Sequence, residues 1–365
     1  MNKKLPSFDL ITFFLALTLA TIGLIFVLSS SYIWADYKFN DSLYFFKRQL
    51  LFATMGVIGM LIVSRIPYHI YKKHATLLYV GSVILLALVL VPGIGLVRGG
   101  ARSWIGIGAF SLQPSEFVKL GVIIFLAKYM ADYPKEAATF KKGIIPGLGV
   151  IGLVFLIIML QPDFGSGMVI VCTGLIMLFS CGVPIRYFMY FGLAGLSGIV
   201  GLILSAPYRL ERITAYLDPW SDPIGSGFQI IQSLYAIAPG GLLGVGLGHS
   251  VQKYFYLPEP QTDFIFAIIS EELGFIGAST VLLLFLCFFI RCAKLTQRID
   301  DLFGKYIIIG IMSMLMVQVM INIGVVTGIL PVTGITLPLM SYGGSSLMIT
   351  LISIGIILNI SRNSK

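Results

Sequence analysis

The residues able to do chemistry are few, and each stands where an apolar run begins or is interrupted. Asp263 heads the run that leads from Phe264 into Ile290, directly after the polar stretch Tyr256–Thr262 with Pro258, Glu259 and Pro260. Proline lacks an amide donor and restricts the residue before it, so that stretch stays out of a helix. Thr262 or Asp263 is then a suitable N-cap for the helix that follows. The Asp263 carboxylate has two readings: a cap, or a general base whose ionised form a helix N-terminus favours. Glu271 and Glu272 lie two turns further along the same run. Neighbours cannot share one helix face, so at least one of them must be buried against other helices. Structural or gating roles stand beside substrate contact for both. Glu116 and Lys119 follow Pro114 and Ser115, which suit a helix start. Three residues apart, they can pair on one face, and fixing helix packing is the plainer role for such a pair.

A second group could hold an anion. Arg209, Arg212 and Lys253 lie in the stretch that precedes Asp263, and Arg48 and Arg102 stand near other run ends. Guanidinium forks suit phosphate, although a plain loop role serves Arg98 and Arg102 equally. In Phe228–Ile237 the spacing puts Gln229, Gln232 and Ser233 on one helical face and Ile230, Ile231 and Leu234 on the other. Ser341 belongs to ITLPLMSYGGSS (335–346), rich in hydroxyls and glycine, and Asp163 to the turn LQPDFGSG (160–167). Each is a weak signal alone. Cys172, Cys181, Cys287 and Cys292 have no second Cys or His at ligand spacing, so no metal site is expected. A divalent cation, Mg or Mn, stays open as an aid to a departing diphosphate, but no acidic cluster marks a place for it.

These residues need elements to position them, and composition decides which. The chain is 57% hydrophobic and only 11% charged. Soluble domains carry about 25% charge. Several apolar runs reach the roughly 20 residues that cross a bilayer. The fold class is therefore an all-α polytopic membrane protein, one membrane domain over residues 1–365. About ten spans are expected, near 10–31, 48–65, 76–92, 114–131, 144–160, 165–182, 187–205, 264–291, 305–328 and 343–361. The net charge of +9 does not mark a nucleic-acid binder, because the basic residues fall in short segments between spans. The richer set, from Lys3 and Lys4 through Lys141, Lys142, Arg291 and Arg362, should face the cytoplasm with both termini. The opposite side then carries the longer loops, above all 206–262 between the seventh and eighth spans. Its Gly-rich apolar middle is too short to span and should form a re-entrant or interfacial helix. Asp263 would lie at the outer water–lipid boundary, where an enzyme acting on a lipid-linked head group needs a base.

RSWIGIGAFSLQPSEF, QPDFGSG, APYRLERITAYLDPW, GSGFQIIQSLYAI, LPEPQTDFIFAIISEELGFIG and LPVTGITLPLMSYGGSS resemble, in order and spacing, the signature segments of the SEDS family of RodA, FtsW and SpoVE. The likeness runs from about Leu10 to Arg362 and leans to the FtsW/SpoVE branch. It implies a ten-helix peptidoglycan glycosyltransferase of the bacterial cytoplasmic membrane, polymerising lipid II on the outer face in division or sporulation wall synthesis. It implies a class B penicillin-binding protein and other divisome or sporulation proteins as partners, within membrane lipid and without nucleic acid. The family's essential aspartate falls on Asp263 and its intramembrane acid–base pair on Glu116 and Lys119. Arg48, Arg102, Arg209, Arg212 and Lys253, with Gln232 and Ser341, are then the expected contacts to pyrophosphate and sugar. Rival expectations are a lipid II flippase and a non-catalytic scaffold that recruits the penicillin-binding protein. A flippase needs a polar path through the whole thickness. The inner half offers it little beyond Gln318 and Asn322.

Overall fold

The structure, a computed structural model, describes residues 8–98, 101–107, 110–204, 216–225 and 227–362. Arg209 and Arg212 lie outside the described residues. Ten helices of 15 residues or more make the body: α1 (Leu10–Phe39), α2 (Tyr44–Val63), α3 (His69–Leu88), α4 (Pro114–Asp132), α6 (Ile145–Met159), α7 (Phe164–Ser180), α8 (Ile185–Leu204), α10 (Ile265–Arg298), α11 (Leu302–Val326) and α12 (Gly344–Ser361). Most begin and end within about four residues of the expected segments; α3 starts seven residues before the expected 76, and α1 and the helix Ile265–Arg298 run seven or eight residues past their expected ends. The short helices α5 (Pro134–Ala137) and α9 (Phe228–Ile237) connect them. Among the described residues, six helical stretches are long and apolar enough to cross a membrane on length and composition alone. α4 falls short because it carries Glu116, Lys119, Lys128 and Asp132. The protein is a multi-pass membrane protein.

Local chemistry sets the helix ends. Asp9 opens α1 by accepting the Thr12 amide at 3.1 Å, and Asn40 closes it in the left-handed region at φ 53°. Pro114 starts α4, where its missing amide costs nothing. The first and last helices meet at one end: the Asp9 amide donates to Ser361 Oγ at 3.0 Å, and Arg291 Nε donates to both Asp9 carboxylate oxygens at 3.0 Å. Both ends of the described chain therefore sit at the same end of the bundle.

The segment before α4 departs from expectation. Instead of a plain loop it is a three-stranded antiparallel sheet, β1 (Gly95–Arg98), β2 (Ala101–Ile107) and β3 (Phe110–Leu112), in the order β1-β2-β3. Gly95 pairs with Ile105 and Ile105 with Leu112. Its glycines mask the alternation by which such short strands are recognised.

The bundle packs through small residues. α2 lies along α12, where a Cβ on Gly355 would stand 2.6 Å from Met60 O. Hydrocarbon gives no drive for helices to associate, so close backbone approach and dispersion must hold them. Gly355→Leu should therefore destabilise the bundle by about 1–3 kcal/mol. Thermal unfolding in detergent reads this as a lowered Tm. Gly81→Leu is the control, since a Cβ at Gly81 meets open space, and its Tm should not fall.

Candidate functional site

Four segments that are far apart in sequence meet at one end of the bundle. They are 112–116, 160–166, 258–264 and 333–345. The Gln113 amide donates to Ser345 Oγ at 3.3 Å, and Gln113 Nε2 reaches Asp163 Oδ2 at 3.4 Å. The Tyr342 amide donates to Gln261 O at 2.8 Å. Asn322 Nδ2, one turn from the end of α11, donates to Asp263 O at 2.7 Å and to Ile335 O at 2.8 Å. One side chain thus ties the residue ahead of α10 to the segment ahead of α12. This corrects the placement of Asn322 in the inner half: α11 runs toward the Asp263 end, so Asn322 belongs to the site's own rim.

Asp263 is the centre of this rim. It is not the N-cap: the cap position is Phe264, which has no side-chain cap bond, and α10 starts at Ile265. The residue is half-buried. Gly334, at φ 74°, lies beside it, and a Cβ there would approach Asp263 Oδ2 to 3.7 Å. Burial pushes the Asp263 carboxyl up to about 7 from an ordinary 3.8, with further upward pushes from the charges of Glu259 and Asp163. That reverses two expectations. The helix start does not hold the acid ionised, and its described charged neighbours are carboxylates rather than Lys253. Asp163 itself caps α7, accepting the Ser166 amide at 3.1 Å.

Lys253 is placed elsewhere. Its ammonium is fully buried, 2.9 Å from Glu272 Oε1 and 2.6 Å from Gly248 O, above the Tyr32 ring. It is therefore committed to a carboxylate and does not offer a charge to a diphosphate. Both adjacent acids are buried. Glu271 accepts Ser250 Oγ at 2.5 Å and the Val251 amide at 2.7 Å. Glu272 accepts Ser29 Oγ at 2.7 and 2.8 Å. Glu116 and Lys119 form the pair that their spacing predicts, at 2.9 Å and buried on both sides.

The remaining candidates divide. Arg102 is exposed on β2, and the Arg48 guanidinium lies 4.8 Å from the Tyr44 ring centroid. Gln232 is half-buried on α9, but Ser233 turns inward to Val326 O at 2.7 Å, so the polar face is narrower than its spacing implies. Ser341 is a clasp: its Oγ accepts the Leu337 amide at 2.8 Å and its carbonyl accepts Gln49 Nε2 at 2.9 Å. That leaves it buried and closed to a ligand. Among the described residues no group of three or more His, Cys, Asp or Glu is arranged to hold a metal ion. Sequence reasoning gave no site role to Asp163, Glu259, Gln113 or Asn322. The only signal was the turn holding Asp163, which has no measure of its distance from Asp263.

A family model described as Cell cycle protein, FTSW_RODA_SPOVE, matches residues 9–365. The chain is 57% identical to Stage V sporulation protein E of Bacillus subtilis (strain 168), covering 100% of both. It is 40% identical to Probable peptidoglycan glycosyltransferase FtsW of Geobacter sp. (strain M18), covering 100% of this chain and 99% of that one. Among solved structures it is similar to a chain in "Structural coordination of polymerization and crosslinking by a peptidoglycan synthase complex", with TM-score 0.80, 32% identity, and 97% and 98% of the two chains covered. It is also similar to the Rod shape determining protein RodA of Thermus thermophilus, with TM-score 0.72, 28% identity, and 98% and 97% covered.

The raised Asp263 carboxyl carries a stability cost with a definite sign. Below the unfolded value of 3.8 both states are protonated and nothing is lost. As pH rises to about 7 the unfolded chain ionises first, and folding stability drains away until the folded acid ionises too. Asp263→Asn should therefore raise Tm over wild type at pH 8, and the gain should shrink steadily toward pH 4. Thermal unfolding across that range measures it, and equal Tm at pH 8 would contradict the burial of this acid.

Proposed function

The chain belongs to the FtsW/RodA/SpoVE cell cycle protein family, and on that premise we propose how it works as a peptidoglycan glycosyltransferase. Asp263 is the general base of a single inverting displacement. The 4-hydroxyl of N-acetylglucosamine on one lipid II loses its proton to the Asp263 carboxylate. Its oxygen attacks the anomeric carbon of the lipid-linked N-acetylmuramic acid of the growing strand. Undecaprenyl pyrophosphate leaves with the bonding pair, and the α-linked donor becomes a β-1,4 bond. Inverting hydrolases add an acid because their leaving group is an alkoxide. A diphosphate leaves as an anion and needs charge stabilisation instead, so one base is enough.

The observation that carries this reading is the state of Asp263: partly open at the meeting point of four segments, with its carboxyl near 7. A general base works best with a value near ambient pH. Arg48 and Arg102 remain candidates for the diphosphate from the described residues, and Arg209 and Arg212 from the loop before α9. The carboxylates near Asp263 do not form a metal-binding group, and no step is assigned to a divalent cation. The buried Glu116–Lys119 pair sets the packing of α4 rather than touching substrate.

The site faces the outside of the cytoplasmic membrane, with both termini in the cytoplasm. The support is the charge asymmetry: Lys72, Lys128, Lys141, Lys142, Arg291 and Lys294 cluster at the end opposite Asp263. A class B penicillin-binding protein is the partner, supported by the likeness to a chain of a synthase complex that couples polymerisation with crosslinking.

Purified Asp263→Ala should lose at least about 100-fold in lipid II polymerisation, the scale of a removed base. Wild-type turnover in that variant would end the assignment. Ionisation of Asp263 is required, so the wild-type rate should fall about tenfold per unit as pH drops below 7 and level off above it.

A further inference from the structure

α10 is a broken helix, and the break is filled. Gly274 has φ 65° and ψ −163°, inside a run that is otherwise helical. In an unbroken helix the amides of Phe275 and Ile276 would donate to Glu271 O and Glu272 O, four residues back. Here a strip of the long loop enters between them. The Phe275 amide donates to Gly241 O at 2.8 Å and the Ile276 amide to Leu242 O at 3.1 Å. The Val245 and Gly246 amides donate to Glu271 O and Glu272 O, each at 3.0 Å. All four groups freed by the break are satisfied by residues 241–246. The two chains touch at glycines. A Cβ on Gly244, at φ 80°, would overlap the Glu272 carbonyl, and one on Gly274 would meet Leu242 O at 2.7 Å.

The side chains of the same two glutamates fasten the far end of the strip. Glu271 holds Ser250 and Val251, and Glu272 holds Lys253 and, from α1, Ser29. Lys253 is the only described cation in this cluster, and its partner Glu272 is buried on every side. Removing a charge from such a pair leaves the other buried and uncompensated.

We infer that Lys253, acting through Glu272, is a positioning residue: it keeps loop 241–246 inserted in the break of α10 and so fixes the half-helix Ile265–Leu273 at whose head Asp263 stands. This rests on Asp263 being the base. Asp263 touches the reacting hydroxyl; Lys253 touches nothing that reacts. Its effect is on aim, and a displacement of about 1 Å at a reacting group can cost about 100-fold in rate.

The test uses the full chain in proteoliposomes supplied with lipid II. Lys253→Met should lower kcat about 100-fold while KM for lipid II stays within about twofold. It should also speed hydrogen exchange at the Val245, Gly246, Phe275 and Ile276 amides. Lys253→Arg keeps a cation and should return both readouts toward wild type. Ser29→Ala removes one donor to Glu272 and leaves Lys253 in place. It should move both readouts the same way by a smaller factor, and it stands in where Lys253→Met does not fold. Wild-type kcat per folded molecule in Lys253→Met, or unchanged exchange at those four amides, overturns the inference. So does a lowered Tm with kcat intact, the outcome of a purely structural role. Exchange at these amides does not depend on the chemistry. An active Asp263→Asn would therefore sink the base assignment while leaving the loop's attachment to be judged by exchange alone.

Discussion

In hydrocarbon an unpaired backbone amide or carbonyl has no water to turn to, and each costs several kcal/mol, on the order of a lost hydrogen bond or more. The structure around α10 is built on that constraint. Breaking a helix at Gly274 frees two amides and two carbonyls, and residues 241–246 supply two carbonyls and two amides in return. The loop can lie beside the helix only because the break gives it partners, and the helix can break only because the loop provides them. Neither conformation is stable at that depth without the other. The Gly-rich composition of 240–248 follows, since positive φ at Gly241, Gly244, Gly246 and Gly248 and backbone contact with α10 are needed within nine residues. The side chains of Leu242, Leu243, Val245 and Leu247 in the same strip are exposed.

The same strip carries the charges. Glu271, Glu272 and Lys253 form one buried knot with Ser29 and Ser250. A buried pair of this kind adds little net stability, because desolvation offsets the attraction. Its value is specificity: it gives loop 250–253 one place to sit. Glu116 and Lys119 do the same for α4 within one helix turn. Among the described residues, Lys119 and Lys253 are each buried against a glutamate and Glu271 rests on Ser250 and the Val251 amide, whereas Asp263 is only half-buried and stands apart from them.

Much of this was legible in the chain and some was not, for physical reasons. The long apolar helices could be placed from the sequence because length and apolarity decide them. The Glu116–Lys119 pair could be read because i and i+3 on a helix are always close. Lys253 could not. It lies in the same loop as Arg209 and Arg212, and nothing in linear order shows that it folds back to Glu272, nineteen residues later. Asn322 was assigned to the wrong half because depth along α11 depends on which end faces the site. The capping role expected of Asp263 failed for a local reason: α10 begins one residue later than the prolines suggest, so Phe264 takes the cap position and leaves the carboxylate unused. The strands of 95–112 were hidden because they are short and glycine-interrupted.

The electrostatics of the rim constrain where each half of the substrate pair can lie. Asp263 has Asp163 and Glu259 as its charged neighbours, and both raise its carboxyl. A diphosphate cannot rest against three carboxylates, so the departing group and the base must occupy opposite sides of the reacting carbon. In-line displacement demands the same thing for a different reason, since the attacking oxygen and the leaving oxygen stand roughly opposite each other. An acceptor hydroxyl is neutral and suffers no repulsion from the acidic side. As it is deprotonated, the proton it gives to Asp263 removes one of the three negative charges there, so the acidic neighbours favour the transfer. With Lys253 closed off by Glu272, the candidates for the other side among the described residues are Arg48 on α2 and Arg102 on β2. The proposed inversion therefore needs its cations on the far side of the reacting carbon, and a site with cations packed around the base would serve it less well.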